Sequence, residues 1–241
     1  MYTPYIMCYY YGINYINISG NVTRYLSMTQ VQSSNLSPLV SRSIDTLLTC
    51  ATAGNNMKTR WNACHALGNI LSSGKMPIEK MAWKSRFLTV KFLKGQNFKI
   101  IFNVRIQACS AVCGLPRRED YGGEYFTLWR MLLTGLDNAQ NIPDYQEIRH
   151  RDELINQISL GISQLTMLLK LSDCGPLREL LELHKDMAAP LMKKAQQELT
   201  PEKAQHALKA QSHIQDLLLT DALTEAQEQA LNILKDLTEC T

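Results

Sequence analysis

An all-α fold of stacked antiparallel helix pairs is predicted by three observations. Leu, Ala, Gln, Glu and Lys, residue types that favour helix, crowd the second half of the 241-residue chain, and no segment gives a clear strand signal. The stretch Asn56–Gly74, NMKTRWNACHALGNILSSG, carries one apolar stripe through Ala63, Ala66, Leu67, Ile70 and Leu71, and a second through Trp61, Cys64, Gly68 and Leu71. A helix with two such stripes has to be covered on two sides, as the inner helix of a stack is. Finally, VRIQACSAVCGL at Val104–Leu115 echoes TRWNACHALGNI, pairing Arg105 with Arg60, Ala108 with Ala63, Cys109 with Cys64 and Ala111 with Ala66 at a spacing of 45 residues. A period of about 40 to 47 residues with two helices per unit is the signature of HEAT and armadillo arrays.

Taken in order, residues 1–30 stand apart. Seven of the ten tyrosines lie at or before Tyr25, Arg24 is the sole charge, and Gly12, Asn14, Gly20 and Asn21 interrupt any period. No Lys or Arg opens the segment as a secretory signal requires, so the sequons at Asn17 and Asn21 are read as incidental and the segment as a poorly ordered extension. A helical-repeat domain is expected over residues 36–241. Ser37 as N-cap and Pro38 at the first helical position open a helix with its apolar stripe on Leu39, Ile44, Leu47 and Leu48, ending near Ala53. A short turn leads into the Asn56–Gly74 helix, with Gly74 as its stop. Pro77 opens the next outer helix, carried by Trp83, Phe87, Leu88, Val90 and Leu93 and closed by Gly95, ahead of the echo helix.

The later helices are predicted over Glu124–Asn138, from Tyr145 or Asp152 to Leu171, and from near Pro176, with Pro190 expected to kink or break the last of these. Thr200-Pro201 opens another helix, and Thr224 with Gln227 forms a capping box for the final one.

The seven cysteines are odd in number, scattered and without a C-x-x-C pair, which reads as reduced thiols of an intracellular protein, cytoplasmic or nuclear. No window of 18 apolar residues is present, so no membrane span is expected. Net charge is +3, unevenly spread: ten bases against one acid from Lys75 to Arg118, and twelve acids against seven bases from Ser172 onward.

KTRWNACHALGN, the Asn97-Phe98-Lys99 and Val104-Arg105-Ile106 fragments, and YGGEYFTLW at Tyr121–Trp129 together resemble the C-terminal region of the HEAT repeat-containing protein 6 family, over about residues 36–182. The resemblance implies an α-solenoid with a scaffolding role and no catalytic residues. Here Ile100–Asn103 separate two fragments that are continuous in the family, and the tyrosine-rich start stands where the family continues into further repeats. A fragment or alternative form is therefore expected.

The residues singled out are structural before they are chemical. Arg60 and Arg105, one turn into their helices, are expected to join polar contacts between repeats with Asn55, Asn56, Asn97 and Asn103 in place of the acids common at such ladders. Trp61 and Asn62 complete this inter-repeat set, with the Trp61 ring buried, so that truncating it to Ala would cost roughly 3 to 5 kcal/mol. Cys64, Cys109 and Cys113 read as buried thiols, too few and wrongly spaced for zinc. There is no Gly-rich phosphate loop, G-x-S-x-G or H-E-x-x-H, and His65, His150, His184, His206 and His213 are dispersed, so neither catalysis nor a cofactor is expected.

These features point to a scaffold for protein partners. The alternative is a nucleic-acid-associated or transport-type solenoid that binds an acidic partner through the basic stretch 75–118, with Lys84, Lys91, Lys94, Arg117 and Arg118 as its contacts. A regulatory subunit that positions an enzyme is a third reading.

Overall fold

The computed structural model describes residues 25–53, 56–75, 102–140, 148–197 and 200–239. Every regular element among them is a helix: α1 (Met28–Gln32), α2 (Ser37–Ala53), α3 (Met57–Ser72), α4 (Phe102–Val112), α5 (Arg118–Tyr121), α6 (Glu124–Gln140), α7 (Ile148–Met167), α8 (Leu171–Gln197), α9 (Pro201–Leu218) and α10 (Glu225–Thr238). The all-α class is therefore as expected. The chain divides into two compact units, residues 1–122 and 123–241.

In the first unit α2 packs on α3, and α3 packs on α4. Two of the starts have a local cause. Ser27 and Gln30 close a reciprocal capping box on α1, and the Asn56 side chain accepts from the Lys58 amide to open α3. The stop after α3 is also as read: Gly74 lies at φ +65°, a backbone conformation that side chains with a Cβ rarely adopt. The α3–α4 contact is made by small side chains. Ala63, Cys64 and Ala66 on α3, and Ala108, Cys109 and Ala111 on α4, are all buried. A Cβ placed on Gly68 would stand 3.3 Å from both Cα and Cβ of Ala111. The two helices that share the 45-residue echo thus lie side by side, at a separation that larger residues would not permit. One detail of α2 is corrected: Leu39 is half exposed, and Val40 takes the buried position that was assigned to it. At the start of α4, Phe102 and Asn103 belong to the helix.

In the second unit the contacts form a regular pattern. Consecutive helices pair, α6 with α7, α7 with α8 and α9 with α10. Alternate helices also pack, α6 with α8, α8 with α10 and α7 with α9. This is a two-layered arrangement, with α6, α8 and α10 in one row and α7 and α9 in the other. Trp129, Tyr125, Leu132 and Leu136 of α6 and Leu154, Ile158, Ile162 and Leu165 of α7 are fully buried. Helix α7 also buries Ser159, Ser163 and Thr166, whose hydroxyls donate to carbonyls four residues back, which satisfies them without a partner from another helix. The corner between α7 and α8 is tied from both later helices: His213 Nε2 donates to the Leu169 carbonyl (2.9 Å) and Gln227 Nε2 to the Leu171 carbonyl (3.1 Å).

Helix α8 is longer than expected. It begins at Leu171, five residues before Pro176, and it runs through Pro190 without a break. A proline removes one amide donor and leaves the carbonyl four residues earlier unpaired. Pro176, Pro190, Ser172 and Asp186 are all exposed, so water can serve both orphaned carbonyls. The openings of α9 at Thr200-Pro201 and of α10 by the Thr224–Gln227 capping box are as predicted.

Candidate interaction surface on the echoed helices

The residues singled out in sequence fall into three groups. Arg60, Trp61 and Asn62 lie in the first two turns of α3, and Arg105 in the first turn of α4. Lys84, Lys91 and Lys94 lie outside the described residues, as do Asn55 and Asn97. Arg117 and Arg118 open α5, and each has an internal partner. Arg117 binds Asp120 with two contacts, Nη2 to Oδ1 at 2.8 Å and Nε to Oδ2 at 3.2 Å, while Arg118 Nη1 donates to the Gly122 carbonyl at 3.2 Å. The Asp120 carboxylate is buried and Arg117 pairs with it from the surface, its own side chain 59% exposed.

Arg60 Nε donates to the Ala51 carbonyl at 3.2 Å. Ala51 lies in the last turn of α2, where carbonyls lack intrahelical donors and carry the negative end of the helix dipole. The arginine therefore does join two helices, but through a main-chain acceptor, not through Asn56, which is occupied in capping α3. Arg105 occupies the equivalent place in α4 and differs sharply. It is buried to 7% exposure, and its Nε and Nη2 have no hydrogen-bond partner. Burial pulls its pKa below the ordinary arginine value, the Cys109 thiol opposing this weakly. Asn62 is buried.

Trp61 corrects the sequence reading. Its exposure is 36%, whereas its echo partner Ile106 is buried at 7%. The indole stacks on the His65 ring one turn later, centroids 6.1 Å apart and planes within 10°. His65 is itself fixed from both sides. Its Nδ1 is 3.3 Å from Gln107 Oε1 on α4, and its Nε2 is 3.2 Å from Asn69 Nδ2. With the amide as donor to Nε2, the proton sits on Nδ1 and the ring bridges the echoed helices. Sequence reasoning passed over His65 because its partner lies on another helix, 42 residues away and outside the aligned register.

Among the described residues the cysteines are buried thiols, Cys50 excepted. Cys64, Cys109, Cys113 and Cys174 are free and buried. Burial raises the Cys64 pKa to about 12 despite the nearby Arg60, and that of Cys174 to about 11. Cys113 is raised by its hydrogen bond with Cys109 and by burial. Thiols held protonated in this way are poor nucleophiles and poor metal ligands. Among the described residues no group of three or more His, Cys, Asp or Glu side chains is placed to hold a metal, and no helix is long and apolar enough to cross a membrane. Cys50 departs from the reading of seven reduced thiols: it is disulfide-bonded.

Among curated proteins the chain is similar to an uncharacterized protein of Dictyostelium discoideum, 26% identical over 147 residues that make up 55% of this chain and 10% of that relative. No family model matches. No solved structure matches.

Proposed function

We propose that the chain is a non-enzymatic scaffold: an α-solenoid of HEAT- or armadillo-like antiparallel helix pairs that binds protein partners along its inner helices. The observation that supports this best is the side-by-side packing of α3 and α4, two helices whose sequences repeat at 45 residues. Elements that repeat in sequence and stack in space are what a solenoid requires, and such stacks present a continuous row of inner helices. The alternation of contacts through α6 to α10 accords with the same plan.

Affinity purification of the tagged chain from cell extract, with and without nuclease, tests the reading. Protein partners that persist after nuclease support it, and partners that all vanish favour a nucleic-acid-bound solenoid. An intracellular location, cytoplasmic or nuclear, is part of the proposal. The Cys50 disulfide points the other way, since such bonds are rare in reducing compartments. Counting alkylatable thiols in the unreduced, denatured chain decides between the two.

A further inference from the structure

We propose that the exposed ridge of α3, centred on Trp61, is the docking site for an acidic protein segment that lays an apolar or aromatic side chain on the indole. This deepens the scaffold reading and rests on it. Met57, Trp61 and His65 are spaced four residues apart and are all exposed, so they form one ridge two turns long. The indole is not a loose surface side chain. It is stacked on a ring that Gln107 and Asn69 hold in place, so its free face is presented in a fixed orientation before any partner arrives. Ordering costs already met in the free protein do not weaken binding, and tryptophan is enriched among the anchors of protein interfaces.

Charge selects the occupant. Neither α3 nor α4 contains an Asp or Glu, whereas α3 carries Lys58 and Arg60. Lys58 is exposed beside Met57 and free to rim the ridge. A cationic ligand stacked on Trp61 would find no carboxylate on either helix to pair with. Carboxylates flanking an apolar anchor would instead meet Lys58 while the anchor covers the indole, an arrangement that steers association and fixes register.

The test uses the full chain and two labelled peptides, one of alternating Glu and Leu around a central Phe, and its counterpart with Lys for every Glu. Fluorescence anisotropy should show the Glu peptide bound and the Lys peptide not. Trp61→Ala and Lys58→Glu should each weaken binding about tenfold, the scale of one lost anchor or one reversed rim charge, while Trp61→Phe keeps most of it. Melting curves establish that Trp61→Ala is folded, and the exposed Lys58→Glu reports even if it is not. Equal binding of the two peptides, no binding of either, or indifference to both substitutions overturns the acidic-segment proposal. If nuclease-resistant partners persist in such a case, the scaffold reading stands without it. Displacement of the Glu peptide by a single-stranded oligonucleotide, in a manner that depends on Trp61, would assign the ridge to nucleic acid and overturn the proposal as well.

Discussion

Arg60 and Arg105 occupy the same place in echoed helices yet carry opposite energetic signs. Arg60 donates to the end of α2, so Arg60→Ala removes a charge-assisted hydrogen bond and should cost about 1.5 to 3 kcal/mol in chemical denaturation. Arg105 is desolvated without hydrogen bonds at Nε or Nη2, so Arg105→Met, which fills similar volume without a charge, should be neutral or stabilising by about 1 to 4 kcal/mol. A loss of stability in Arg105→Met comparable to that in Arg60→Ala would mean that Arg105 has a partner in solution. The sequence placed both arginines correctly, one turn into their helices, because the echo fixes that position. It could not separate them, because burial and hydrogen bonding depend on neighbours distant in the chain.

The thiols make a second statement at this scale. The Cys64 pKa is raised in the folded chain, so the un-ionised form is favoured by folding. The associated stability is fully present below the unfolded value near 9 and is lost as pH climbs towards about 12. Thermal stability should therefore fall over that interval, and Cys64→Ala should flatten part of the fall. A Cys64→Ala protein with the same alkaline profile as the parent would remove Cys64 as its cause. At neutral pH, Cys64 and Cys113 should resist alkylation until the chain is unfolded.

At the scale of the element, the decisive feature is the closeness of α3 to α4. Gly68 lies against Ala111, with no room for a large side chain. Gly68→Leu should destabilise the first unit by about 1 to 3 kcal/mol or more, although leucine is the better helix former by up to about 1 kcal/mol, because overpacking against backbone outweighs propensity. An increase in melting temperature would show that the two helices can separate at little cost. The sequence signalled this contact through its run of Ala, Cys and Gly, since two apolar stripes of small residues mean close neighbours on two sides. It misjudged Trp61 by the same logic, treating every apolar residue on a stripe as covered. The indole is instead 36% exposed and stacked on His65 of its own helix. Helix α8 continues past Pro190: the local cost of a proline is real, but exposure of Asp186 and Pro190 lets water offset it.

Across the whole molecule, the helical class was legible from composition and the repeat from its echo, but only where the echo is strong. The second unit carries no comparable internal repeat in sequence. Its ordered alternation of contacts is imposed by apolar spacing along α6 to α10, and Leu, Ile and Ala satisfy such spacing in many combinations without resembling one another. The consequence can be measured. The core of this unit, from Tyr125 and Trp129 through Ile158 and Ile162 to Leu234 and Leu237, is built on helices that pack on one another within residues 123–241. Its corner at Leu169–Leu171 is likewise held by His213 and Gln227 of the same unit. A compact unit with its own core should fold alone. A chain of residues 123–241 should therefore be strongly helical by circular dichroism and melt in one cooperative transition. Within it, Trp129→Ala should cost about 3 to 5 kcal/mol, since the ring is fully buried, while Trp129→Phe should cost far less, because the indole Nε1 has no hydrogen-bond partner to lose. A fragment that is helical but melts without cooperativity would show that the two-row packing of α6 to α10 is not sufficient, and that its stability depends on residues before Gly123.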